Sequence, residues 1–396
     1  RATVATEAEE WALTAARAKG LDLDSPLVGE EWLTGPYATV VAIDAYIETL
    51  TSLRVGASPL DHVRVDTAPG DRVRVHAFPT SAVDGLLVSG FSGEVWLRPG
   101  VTLADAQRKA GLGQLLPNES GGVGLVLGAG NITSIPVLDV LYELIAHNRV
   151  SILKINPTQD PLAPVFGRAL APLISLGLLR IVQGGGEVGA ALTEHAGIDH
   201  VHITGAARTF ETVVFGRTAT GKRRARPRLS VPITAELGGV SPIIVVPGKW
   251  SDADLRFQAE HVATMRLHNS GHNCVAGQVV ILSADWAQRE RFLAEVEAAM
   301  SRAPQRPVWY PGAQARLAEV ADEYPGARWS SGHTRAVIEV GTDADPTPME
   351  TTEYFVPALG VVTLPGNGQE FLDAAVEYAN ARLTGTLGAN LLVDPD

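Results

Sequence analysis

The chain has 396 residues, 45% of them hydrophobic and 40 of them glycine, which fits a large α/β protein of two or more domains. A net charge of −12 argues against non-specific binding to nucleic acid or to an anionic membrane. The single cysteine, Cys274, excludes an intrachain disulfide, and no apolar run is long enough to cross a membrane as a helix. No basic-then-apolar leader is visible, so the expected compartment is the cytoplasm. The first residue is Arg1 rather than methionine, so a processed or trimmed chain is expected.

The first 60 or so residues read as helical. Residues 5–19 are rich in Ala and Glu, residues 43–55 repeat apolar positions at helical spacing, and Pro26 and Gly35-Pro36 interrupt the region. Residues 72–79 alternate strictly and predict a strand with one polar face. Residues 86–88 and 94–97 are expected as short strands, and 103–110 as a helix. From Gly121 the pattern changes to apolar strands alternating with helices. Strands are expected at 122–127, 150–155, 179–182 and 200–203, with helices at 135–147, 162–176 and 188–194. That alternation predicts a parallel, doubly wound α/β sheet, with ligands at the carboxyl ends of its strands.

Several strand ends carry residues suited to binding. Gly128-Ala129-Gly130 follows the first strand, but the full dinucleotide spacing fails because position 133 is Thr. Asn131 lies just beyond, where a turn or a helix cap is the competing role. Lys154 closes a buried strand, and Thr204-Gly205-Ala206 ends another. The one basic run, residues 217–228, reads as a solvated loop, with an anion or coenzyme contact as the alternative. After Gly239 a second α/β unit begins: strand 241–246, helix 252–267, strand 279–283, helix 287–300 and a helical pattern from 311 to 320. A strand at 359–362 and a late one within 386–393 complete it.

Cys274 lies between the helical run and the strand, in LHNSGHNCVAGQ. By itself it is as compatible with a structural thiol as with a nucleophile. Its small and polar neighbours favour the nucleophile, because an attacked carbonyl must approach closely and its oxyanion needs donors. Glu236, in TAELGGVSP and 38 residues earlier, supplies a carboxylate suited to general-base work.

The order Glu-Leu-Gly-Gly, helix, Gly-His-Asn-Cys resembles the aldehyde dehydrogenase superfamily. The resemblance runs over about residues 120–393. It implies two doubly wound α/β domains of that type: N-terminal helices and a Rossmann-like cofactor domain over 1–238, and a catalytic domain over 239–396. It implies NAD- or NADP-dependent oxidation of a small-molecule aldehyde to an acid, with no metal. Cys274 would be the nucleophile, Glu236 the residue that activates water, and Asn131 an oxyanion donor. Gly128, Lys154, Thr204, Gly205, Glu353 and Phe355 would hold the cofactor, the last two from a Glu-x-Phe-x-Pro segment. Three places depart from the family pattern. Ala129-Gly130 replaces Pro-Trp, Ala206 removes a hydroxyl, and Pro157 stands where NAD-preferring members carry a glutamate. The last departure leads to the expectation that NADP is accepted at least as well as NAD. A CoA-dependent acylating enzyme and a catalytically inactive scaffold are the alternative readings; retention of Glu236 disfavours the first, and retention of Cys274, Glu236, Asn131 and Lys154 together the second. The resemblance also implies a homo-oligomer when full length, with the rest of the catalytic domain and an oligomerisation strand after Asp396, so a trimmed or incomplete chain is expected.

Overall fold

The structure, a computed structural model, describes residues 1–216, 224–341 and 345–394. Its first sheet is antiparallel and small: β1 (Val65–Ala68), β2 (Arg72–Phe78) and β3 (Gly93–Trp96). The second has five parallel strands: β4 (Gly122–Leu127), β5 (Arg149–Lys154), β6 (Leu179–Val182), β7 (His200–Gly205) and β8 (Ile233–Leu237). Their spatial order is β6-β5-β4-β7-β8, so the winding reverses between β4 and β7. Doubly wound sheets bind ligands at such a switch point, outside the carboxyl ends of the strands.

The third sheet holds β9 (Ser241–Val245), β10 (Gly277–Ser283), β11 (Arg328–Ser330), β12 (Arg335–Glu339), β13 (Ala358–Leu364) and β14 (Asn390–Leu392), in the order β11-β12-β13-β10-β9-β14. Only the β11–β12 pair is antiparallel. Every residue of β9 and β10 is buried, as a parallel sheet covered on both faces requires. Ile243, Val245, Val280 and Leu282 meet the helices Asp252–Leu267 and Arg289–Arg302 on one face. Ile244, Val279 and Ile281 meet Leu317, Val320, Phe371 and Ala375 on the other.

The N-terminal helices cover the five-stranded sheet. Trp11, fully buried, packs edge-on against Phe166 with ring centroids 5.0 Å apart and donates Nε1–H to Thr133 Oγ1 at 2.8 Å. Two sequence expectations are corrected. Residues 86 and 87 end a helix, Ala82–Leu87, with Val88 as its C-cap, rather than forming a strand; Ser81 and Asp84 form a reciprocal capping box at its start. The expected helix over 162–176 is two helices, Ala163–Ala169 and Ala171–Ser175, with Pro172 in the first turn of the second. No helix among the described residues is long and apolar enough to cross a membrane.

Candidate active site

Cys274 is presented by a tightly anchored loop. The helix before it starts at Ser251, whose hydroxyl accepts from Asp254 N at 3.2 Å, and carries Asp252 and Asp254 in its first turn. After Leu267 the chain turns through three consecutive left-handed residues, Asn269 (φ 50°), Ser270 (φ 57°) and Gly271 (φ 74°). Only glycine suits the third, since a β-carbon there would lie 2.8 Å from Arg266 Nη2 and 2.9 Å from the carbonyl carbon of Val356. Fully buried Arg266 holds both ends of the loop, donating Nη2–H to Gly271 O at 2.8 Å and Nη1–H to Gly277 O at 3.3 Å.

Donors gather beside the thiol. Asn131 is buried, and its Nδ2 donates to His272 O at 2.9 Å. Among the described residues that is its only acceptor, which leaves its second N–H unclaimed. Asn131 does not cap the following helix Ile135–His147, whose N-cap is Ser134. Cys274 is partly buried, and burial pushes its thiol pKa above the ordinary value. The carboxylates of Glu353 and then Glu236 push the same way, while the backbone N–H groups of Cys274 and Val275 pull back. The thiol is therefore neutral at rest.

A cavity of about 560 Å³ opens from Cys274 across the carboxyl ends of β4, β5, β7 and β8. It brings together Gly128, Asn131, Lys154, Thr204, Gly205, Glu236, Cys274, Glu353 and Phe355, the full set singled out in the sequence. Glu236 lies on β8, directly beside Thr204 in the register, and is exposed. Lys154 is buried, and burial lowers its pKa against the opposing fields of Asp160 and Glu187. Glu353 has one buried oxygen, Oε1, without a hydrogen-bond partner among the described residues. Burial drives its pKa up to about 7, against the Arg316 and Arg266 guanidinium groups. Phe355 has a left-handed backbone (φ 56°), and its carbonyl meets His272 Nδ1 at 2.6 Å.

Sequence reasoning missed several residues here. Tyr310 and Arg316 line the cavity, and Arg316 Nη1 donates to the carbonyls of Glu353 and Tyr354 at 3.0 and 3.1 Å. His272 is fully buried among Trp309, Tyr310 and Phe355, and burial lowers its pKa to about 4. Beneath the cavity floor, Thr204 Oγ1 donates to Asp139 Oδ2 at 3.0 Å. Burial works against the charged form of His202 there, yet the Asp139 carboxylate overrides it and raises the pKa. The spacing of His202 and Thr204, two apart on one strand face, was the available signal. Of the basic run, residues 217–223 lie outside the described residues; Arg228 pairs with Glu194, and both line the cavity.

The residues present suit a dinucleotide. A β-carbon at Gly186 would meet nothing within 4 Å, and one at Gly189 or Gly205 only side chains 3.8 Å away or more. The cavity wall at these positions is therefore bare backbone, which a phosphate can approach closely. The helix Ala207–Phe215 begins directly after β7, and among the described residues no side chain caps its start.

Comparison with known proteins agrees with this geometry. Residues 120–314 match the model of the aldehyde dehydrogenase family. The chain is 33% identical over 132 residues to "Aldehyde dehydrogenase 1" of Tanacetum cinerariifolium, a match covering 32% of this chain and 24% of that one. It is 35% identical over 133 residues to a 3,6-anhydro-alpha-L-galactose dehydrogenase of Streptomyces coelicolor, covering 31% and 24%. These matches span about a quarter of the curated relatives' length. Among solved structures, lactaldehyde dehydrogenase from Escherichia coli superposes with a TM-score of 0.67 at 17% identity, over 99% of this chain and 72% of that one. Gamma-glutamyl-gamma-aminobutyraldehyde dehydrogenase from Burkholderia cenocepacia gives 0.62 at 19% identity, over 99% and 70%. The aldehyde dehydrogenase match over residues 120–314, with the fold of aldehyde dehydrogenase structures along nearly the whole chain, supports placing it in the aldehyde dehydrogenase superfamily.

Proposed function

We propose that the chain oxidises an aldehyde to a carboxylic acid with NAD+ or NADP+, through a thioester on Cys274. The observation that carries this reading is the convergence of Cys274, Glu236 and Asn131 with Lys154, Glu353 and Phe355 in one cleft at the switch point. The cofactor half, residues 1–238, and the catalytic half, 239–396, share that cleft.

Cys274 is partly exposed, so its thiol proton passes to solvent as the sulfur attacks, and Glu236 is left free for the later step. Attack of sulfur on the aldehyde carbon places negative charge on oxygen. The free N–H of Asn131 and the backbone N–H of Cys274 are the donors for that charge. Lys154 and Glu353 would hold ribose hydroxyls of the cofactor, Thr204 and Gly205 its phosphates, and Phe355 its nicotinamide, with Gly128 lining the same cavity. The chemistry that NAD(P)+ supplies when bound is hydride acceptance, which leaves a thioester on Cys274. Glu236 then takes a proton from water, hydroxide adds to the thioester carbon, and the thiolate leaves.

The test is NAD(P)H formation from a panel of aldehydes, with and without coenzyme A. Turnover without coenzyme A, and no acceleration by it, is the expected result. Turnover only with coenzyme A would replace hydrolysis by acyl transfer, and no turnover with any aldehyde would overturn the reading.

A further inference from the structure

The N-terminal helices reach the nucleophile loop through one buried side chain. Lys19, at the end of the helix Ala8–Ala18, is 4% exposed, although a lysine is rarely buried without a task. Its ammonium group has three N–H donors, and each has a partner. One goes to Glu31 Oε1 at 2.8 Å and one to Asn269 Oδ1 at 3.0 Å. The third faces the Trp309 ring, 5.1 Å from its centroid.

Asn269 passes this anchorage on. Its side chain accepts from Lys19 and, at 3.3 Å, from Trp309 Nε1, so Oδ1 is fixed. The amide nitrogen then points the other way and donates to Asn131 O at 3.0 Å and His272 O at 3.1 Å. His272 O is also the acceptor that holds the Asn131 side chain. The backbone N–H of Asn269 donates to Glu30 Oε2 at 2.9 Å, which ties its left-handed turn to the same N-terminal layer. One chain of bonds thus runs from Lys19 and Glu31 to the oxyanion donor and to the peptide two residues before Cys274.

We infer that the Lys19–Glu31 pair is a positioning device for the active site: acting through Asn269, it fixes Asn131 and the Cys274 loop against each other. The catalytic part of this inference rests on the proposed role of Cys274. The anchoring part rests on the geometry alone. A purely structural ion pair in the same place would be replaceable by apolar side chains without loss, because two buried charges are costly to desolvate. A positioning pair would not be.

The double variant Lys19→Met/Glu31→Leu separates these roles, since it leaves no unpaired charge. Thermal melting monitors folding, and amide hydrogen exchange of residues 267–278 monitors the loop without reference to activity. Asn269→Gly, which keeps the left-handed backbone and removes the side chain, is the second variant in case the first does not fold. The expected result for a folded variant is exchange in residues 267–278 faster by about tenfold, with kcat/KM for aldehyde lower by about tenfold. KM for the cofactor stays within about twofold. Unchanged exchange in both variants would overturn the inference. Faster exchange with unchanged kcat/KM would also overturn it, reducing the pair to a structural one. If the unmodified protein oxidises no aldehyde, the proposed function falls, and hydrogen exchange alone still decides whether Lys19 anchors the loop.

Discussion

Gly238 and Glu353 touch so closely that a β-carbon on Gly238 would lie 1.9 Å from Glu353 Oε1. Only glycine lets that carboxylate fold down beside the end of β8. Gly238→Ala should therefore expel the Glu353 side chain, costing about 1–3 kcal/mol of stability and weakening cofactor binding by about tenfold. Cofactor titration by fluorescence, together with a thermal melt, checks both effects. Unchanged affinity would separate Glu353 from the cofactor site.

Glu353 also makes stability depend on pH. Its pKa is about 7 in the folded protein against an ordinary 4.5, so the folded state holds this proton more tightly than the unfolded one. The contribution is fully present below about pH 4.5 and is lost as pH rises through 7. Its size is at most about 3 kcal/mol. Glu353→Gln should match the unmodified protein in denaturant melts at pH 4.5 and exceed its stability at pH 8. Equal stability at both pH values would contradict the assignment.

Because Cys274 is the only cysteine, alkylation reports on it without ambiguity. The raised thiol pKa predicts slow reaction with iodoacetamide at neutral pH. At pH 8 Glu353→Gln removes the larger of the two carboxylate effects on the thiol, so alkylation should quicken by about three- to tenfold. Intact-mass measurement over time follows it, and a slower reaction would show that the carboxylate does not act on the thiol.

If Lys154 holds the adenosine ribose, Pro157 is not the only residue that bears on cofactor choice, because Asp160 and Glu187 both act on Lys154. Their negative charge would then disfavour a 2′-phosphate. Glu187→Gln should raise kcat/KM for NADP relative to NAD by about fivefold, the effect of a single exposed charge worth about 1 kcal/mol in water. Steady-state kinetics with both cofactors measures the ratio, and an unchanged ratio would remove Glu187 from the site.

The parallel sheets were legible because their strands are unbroken apolar runs closed by glycine or polar turns, as at residues 122–130 and 277–283. The candidate site residues stood out for the same reason: Lys154, Thr204 and Glu236 all lie at strand ends. Residues 86–88 were misread because three apolar residues carry no period, and the capping pair Ser81 and Asp84 was the stronger signal. β11 and β12 escaped notice because one is only three residues long and the other begins and ends with a charge. Lys19, Tyr310 and Arg316 could not be found at all by pattern. Their roles come from contacts across long separations, 250 residues for Lys19 and Asn269, and no local spacing encodes such a contact.

The most direct test of the central claim is intact-mass analysis of the Glu236→Gln variant, quenched shortly after mixing with aldehyde and NAD(P)+. Without the residue that activates water, the thioester should accumulate. The predicted result is an acyl adduct on Cys274, formed with about one NAD(P)H per site and absent from Cys274→Ala. NAD(P)H formation that persists in Cys274→Ala, or a Glu236→Gln protein that reacts without ever carrying the adduct, would contradict the account.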